Sequence, residues 1–174
     1  MPEGFCEQCN GKCCTEFTVY VTHADVKRLM GHLKKPYEAF ITGYADDERC
    51  THPLIKLAAY DVRIGLTYAE KKCCLLNVVG DRRRCTVQPV KPMVCRTYPF
   101  TIDGEGKLIH VEPYKCAGPI WPPDQAGVDK SVSEVRQLKR EYQEYTLLVQ
   151  QWNKLPKEER PNLKAFFDYV LPHA

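Results

Sequence analysis

The stretch that organises this chain is Cys6-Glu7-Gln8-Cys9-Asn10-Gly11-Lys12-Cys13-Cys14, four cysteines in nine residues. Glycines punctuate it and helical periodicity is absent, so it reads as a loop or a few turns wrapped around something. Cysteines two or three residues apart on a loop can turn inward to one metal centre, about 2.3 Å from each sulfur. Adjacent cysteines are expected to point in different directions. Cys13 and Cys14 therefore suit two neighbouring sites, or one ligand and one packed thiol. The whole chain carries 10 cysteines in 174 residues. Its start lacks a basic segment followed by an apolar one, so no export signal is expected and a cytoplasmic, thiol-reducing location is. Ten reduced thiols have two explanations: buried small hydrophobes, and metal or redox chemistry.

A second group lies downstream: Cys73, Cys74, Cys85, Cys95 and Cys116. Lys91-Pro92-x-x-Cys95-Arg96-x-Tyr98-Pro99-Phe100 fixes turns on both sides of Cys95. Arg96 can lower a thiolate pKa or donate to a cluster sulfur, which makes it the candidate cofactor-binding side chain. Lys71, Lys72, Arg82, Arg83 and Arg84 crowd the same region. Four thiolates around a zinc ion, or around an oxidised [4Fe–4S] core, leave a net charge near about −2. The basic run reads either as counter-charge to such a centre or as a solvated loop.

Taken together, these residues resemble the YkgJ-type cysteine-cluster family, also described as the CxxCxxCC zinc- or iron-chelating domain. The resemblance runs through roughly residues 5–120. It rests on the first cysteine run, the Thr22-x-x-Asp25 helix start, Cys73-x-Leu75-Leu76, Cys85-Thr86-Val87, Lys91-Pro92-x-x-Cys95-Arg96-x-x-Pro99-Phe100 and Cys116-x-Gly118. The first run departs from the family name by one residue in its second gap. Cys74 stands where the family often has proline, Gln88 where it often has an aromatic and Lys91 where it often has arginine. Cys50 has no counterpart. The expected ligands are therefore Cys6, Cys9, Cys13, Cys14, Cys73, Cys85, Cys95 and Cys116, which divide into two sets of four. The resemblance extends to a domain of flagellin lysine N-methylases, and implies an iron–sulfur cluster with methyl transfer as one available chemistry.

Both zinc and iron–sulfur centres accept four cysteines, so ligand type does not decide between them. Clustered N-terminal cysteines completed by remote ones suit a cluster larger than one ion. The zinc pattern of two C-x2-C knuckles about 15–20 residues apart is missing. One or two [4Fe–4S] clusters are the expected cofactor, zinc the alternative. An electron-transfer or redox role is expected. The alternatives are a structural zinc module contacting another protein and a protein-lysine N-methylase-like enzyme, and whether the protein is an enzyme stays open. A thiol redox sensor is a weaker reading.

Around the cysteines, Phe17 to Val21 reads as a strand and Thr22 as the cap of a helix from His23 to about Leu33. A short helix is expected from Pro36 to about Thr42. Two strands are expected to turn near Gly65, and Asn77 to Arg84 reads as a polar connection. A helical turn is expected at Val90 to Cys95. A hairpin is expected around Asp103-Gly104-Glu105-Gly106, and a linker from Pro119 to Gly127. Ser131 with Glu134 suggests a capping box opening a long helix. Val135, Leu138, Tyr142, Tyr145, Leu148 and Trp152 then recur at helical spacing as core, and the helix ends near Pro156. Asn162 caps a last helix. The expected fold is α+β, one small domain organised around cysteine-bound metal. Residues 1–128 form the cysteine-cluster part, and 129–174 a brace of two amphipathic helices.

Composition agrees with an ordinary globular chain, 44% hydrophobic and 27% charged. A net charge of +3 is too small to imply nucleic acid or an anionic membrane. No apolar run is long enough to cross a bilayer. No nucleotide-binding, metalloprotease or nucleophile-elbow signature appears. His52, two residues after Cys50, is a lesser ligand candidate, whereas His23 reads as a surface residue at a helix start and His110 as a strand residue.

Overall fold

The computed structural model describes residues 11–48, 50–80, 82–111 and 124–174. The protein is α+β: short antiparallel sheets, three short-to-medium helices among them, and a long C-terminal helix followed by a shorter one. The centre is strand β3 (Asp61–Leu66), flanked by β1 (Ile41–Tyr44) and β2 (Ile55–Lys56). Ile41 pairs with Leu66 and Ile55 with Val62. β3 is buried from Val62 through Leu66, which fits its β-branched and aliphatic content at the middle of a sheet.

Gly65 is not a turn. β3 runs straight through it, because other chain passes too close for a side chain. A Cβ there would sit 2.9 Å from the Val19 carbonyl and 3.0 Å from the Tyr44 ring. Gly65→Ala is therefore expected to cost about 1–3 kcal/mol. A thermal melt unchanged from wild type would contradict this packing. The approaching segment is the one expected to be a strand at Phe17 to Val21. It runs extended beside β3, with Val21 N donating to Ile64 and Leu66 N to Val19. Only a single bridge, Tyr20 with Gly65, forms there, so no full strand results.

Helix α2 (His23–Leu33) starts as expected. Thr22 accepts from Asp25 N, and the Asp25 carboxylate accepts from Thr22 N, a reciprocal capping box. His23 is a correction: it is buried rather than exposed, and its ring stacks on Tyr145 at 6.0 Å. The expected helix at Pro36–Thr42 is a single 3₁₀ turn, Tyr37–Ala39, before β1 begins. β-Branched Ile41 and Thr42 pair with β3 instead of continuing a helix. The expected polar connection at Asn77–Arg84 is a hairpin, β6 (Leu76–Val79) with β7 (Arg82–Cys85), its turn carrying Gly80 at φ +58°. Between these lie β4 (Tyr68–Ala69) and β5 (Lys72–Cys73). Helix α3 (Met93–Thr97) holds Cys95, and β8 (Phe100–Ile102) pairs with β9 (Leu108–His110) around the expected turn.

Helix α4 (Gln125–Lys154) begins earlier than Ser131 and spans both sides of position 128. Asp124 caps it by accepting from Gly127 N at 2.8 Å, and Ser131 lies buried in its second turn. The expected linker at Pro119–Gly127 falls largely outside the described residues. Tyr145, Val149 and Trp152 of α4 share one core with Val26 and Leu29 of α2, β3 and β2, and helix α5 (Leu163–Val170). Phe100, Leu108 and Val135 form a smaller cluster where the β8–β9 hairpin meets the first half of α4. Among the described residues no helix is long and apolar enough to cross a membrane.

Candidate metal centre

Six cysteines line one cavity of about 830 Å³: Cys13, Cys14, Cys73, Cys85 and Cys95, from four separate elements, and Cys50, from the loop before β2. Helix α1 (Lys12–Glu16) supplies the first two. Gly11 opens α1 in the left-handed region at φ +67°, a conformation glycine adopts without steric cost. The Tyr68 hydroxyl donates to the Thr15 carbonyl and ties α1 to β4. Cys73 ends β5, opposite Tyr68. Cys85 ends β7, opposite Leu76. Cys95 sits in the middle of α3. The other three expected ligands, Cys6, Cys9 and Cys116, lie outside the described residues.

Cys13 and Cys14 depart from expectation. Their sulfurs are 3.9 Å apart rather than turned away from each other. The cause is helical backbone, where successive side chains fan by about 100° and not the half-turn of an extended chain. That separation is close to the edge, about 3.8 Å, of a tetrahedron of sulfurs about 2.3 Å from one ion. Among the described residues no three His, Cys, Asp or Glu side chains are drawn together tightly enough to form a ready metal site. The thiols share the cavity wall without being closed around a point.

Cys74 is exposed, its sulfur 3.8 Å from the Phe40 carbonyl. Cys50 also lines the cavity, but its electrostatic neighbours are Tyr20, Arg63 and Tyr142. Arg63, buried, donates to the His52 carbonyl at 2.7 Å, pairs with Asp46 and so holds the loop around Cys50.

The electrostatics favour neutral thiols in the absence of a cation. A hydrogen bond with Cys13, then burial, push the Cys14 thiol well up. A hydrogen bond with Cys74, then burial, raise Cys73, and the same contact lowers Cys74. Burial first, then the nearby Cys13, Cys85 and Cys73, raise Cys95. A bound cation inverts this balance by stabilising thiolate, so metal binding at such thiols is coupled to proton release. Soft sulfur donors in a shared, largely apolar cavity fit zinc or an iron–sulfur centre. Three cationic residues line the same cavity: Lys139 of α4, Lys91, buried, and Arg83, whose stem packs so close to Gly11 that a Cβ there would lie 3.1 Å from Cδ. Part of the basic run thus reaches the cavity wall. Arg96 instead donates to the Pro89 carbonyl at 2.7 Å and lies 4.0 Å from Glu134 of α4.

Sequence reasoning missed several walls of this cavity. Leu138 and Tyr142, read as core of α4, line it, and so do Phe17, Tyr20 and Asp25. Only Asp25 carried a signal, as the partner of Thr22 in the capping box. His52 lines it too, only 9% exposed, stacked on Tyr20 at 5.3 Å and tilted against Tyr145 at 5.1 Å.

Burial is the main reason the His52 pKa falls to about 4, and burial lowers His23 as well. Both are neutral in the fold. Their stabilising contribution is complete above the unfolded value near 6.5 and falls away below it, for His52 down to about 4, because the unfolded chain takes up the protons first. His52 alone is expected to cost about 3 kcal/mol across that window. Melts of wild type and His52→Gln, compared from pH 7 to 4.5, should converge as pH falls; parallel curves would contradict the assignment.

No curated protein and no solved structure matches the chain. A family model does match, over residues 5–117, and its description is "CxxCxxCC: Putative zinc- or iron-chelating domain". The match covers both cysteine groups and every element that faces the cavity from the N-terminal side. Metal chelation by thiolates is what such a cavity can do, and the chain belongs to this zinc- or iron-chelating CxxCxxCC family.

Proposed function

We propose that this metal-binding protein holds iron, as one or two [4Fe–4S] clusters, and serves electron transfer or another redox step. The observation that carries the reading is the meeting of Cys13, Cys14, Cys73, Cys85 and Cys95 on one cavity wall, more sulfurs than one four-coordinate ion takes. Cys6, Cys9 and Cys116 complete the ligand set, giving eight sulfurs for two sets of four. A bound cluster supplies one-electron chemistry. The chain's own residues do the rest. Phe17, Tyr20 and Leu138 make the cavity apolar and limit water. Lys91 and Arg83 offset the negative charge of a thiolate-bound centre. Arg96 keeps α3 oriented through Pro89, and its proposed part toward a bound cofactor is through that orientation, since it is not among the residues that line the cavity. A cytoplasmic location and a protein redox partner belong to the same reading.

One observation favours zinc: the 3.9 Å between the Cys13 and Cys14 sulfurs, near the edge of a single-ion tetrahedron. In that reading the domain is a structural module for contact with another protein. The test is anaerobic purification followed by iron, zinc and acid-labile sulfide analysis. Brown protein with matching iron and sulfide supports the first reading. Colourless protein with stoichiometric zinc and no sulfide overturns it. S-adenosylmethionine titrated into the loaded protein tests the methylase-like alternative, which an absence of heat would remove.

A further inference from the structure

Helix α3 carries Cys95 but is only five residues long, and its N-cap, Pro92, offers no side-chain cap. A helix this short has little stability of its own, and its first N–H groups have no intrahelical partner. One of them is satisfied from far away in the sequence. Met93 N donates to Asp25 Oδ1 at 2.9 Å.

Asp25 is 1% exposed, and both of its oxygens are used more than once. Oδ1 also accepts from Arg28 Nη2. Oδ2 accepts from Thr22 N at 3.0 Å and from the Thr22 hydroxyl at 3.1 Å. Arg28 continues the chain of contacts with a two-pronged pair to Glu141 of α4, both bonds at 2.7 Å. Gln137 donates to the same carboxylate at 2.8 Å. Thus one carboxylate joins the start of α2, the start of α3 and, through Arg28, the middle of α4. Charge-assisted, bidentate bonds of this kind fix direction as well as distance.

We infer that Asp25 is a positioning residue for the thiol centre: it caps the Cys95 helix in trans and fixes where Cys95 enters the cavity. The role rests on the metal-binding reading for its purpose, but not for its test, which uses metal-free reduced protein. The cap itself is read by hydrogen exchange in the wild-type chain. The Met93 amide, at the first position of a short helix, should be among the protected amides. Free exchange there would overturn the proposal without any variant.

The positioning is read by iodoacetamide labelling of each cysteine, followed by mass spectrometry. Asp25→Asn cannot accept from both Thr22 N and Met93 N while keeping the Arg28 pair. Thr22→Ala serves as control, since it weakens the α2 cap and leaves the Asp25 to Met93 bond in place. In Asp25→Asn, Cys95 labelling should rise about tenfold relative to Cys85, as expected of a local opening confined to α3. In Thr22→Ala the Cys95 to Cys85 ratio should stay at the wild-type value. Equal ratios in both variants, or a parallel rise of every thiol in Asp25→Asn, would mean that Asp25 only stabilises the fold.

Discussion

Cys95→Ala is expected to lower metal affinity by more than about 100-fold, so that purified protein carries almost none. The size of the effect follows from position. Cys95 lies on α3 and lines the cavity, and after burial the groups that act on it most strongly are Cys13, Cys85 and Cys73. Its removal takes away a sulfur that is electrostatically coupled to three of the others. Cys74→Ala should retain wild-type metal content, because Cys74 is exposed and its sulfur lies beside the Phe40 carbonyl. Cys50→Ala should do the same. Elemental analysis of the three variants decides the matter. Metal lost from Cys74→Ala and kept by Cys95→Ala would reverse the ligand assignment.

The second large effect concerns the C-terminal helices. Trp152 is 2% exposed and packs edge-on against Phe166 of α5 at 5.4 Å, with Tyr169 at 5.5 Å. Its indole N–H donates to the Lys56 carbonyl at 3.0 Å, which ties α4 to β2. Trp152→Ala empties the largest buried side chain of the core and removes one of the two donors to that carbonyl, the other being Arg160 at 3.1 Å. The expected cost is about 3–5 kcal/mol, read by urea unfolding of the metal-free protein. A cost under about 1 kcal/mol would mean that the helices merely rest on the rest of the core.

Much of this architecture was legible where a signal is local. Thr22 with Asp25, Asn162 ahead of Leu163, and the turn residues at Asp103–Gly106 each act within a few residues. The capped helices and the β8–β9 hairpin appear where those signals place them. The cysteine groups were legible because ten thiols in such a chain need a reason. What was not legible depends on distant partners. Gly65 looks like a turn until Val19 and Tyr44 are seen against it. Asn77 to Arg84 looks like a loop because its strands β6 and β7 face solvent along much of their length, so no apolar alternation marks them. Ser131 with Glu134 imitates a cap, but Asp124 starts the helix earlier. The adjacency of the Cys13 and Cys14 sulfurs depends on a helical turn that the glycine-punctuated run conceals. Asp25 reads as half of a capping box, and its second duty appears only when residues 68 positions away arrive beside it.

X-ray absorption at the metal edge of anaerobically prepared protein tests the central idea most directly, that thiolates from residues far apart in the chain jointly hold the metal. The predicted first shell is sulfur alone at about 2.3 Å, with neighbouring iron atoms in the next shell. A shell dominated by nitrogen or oxygen would contradict the account.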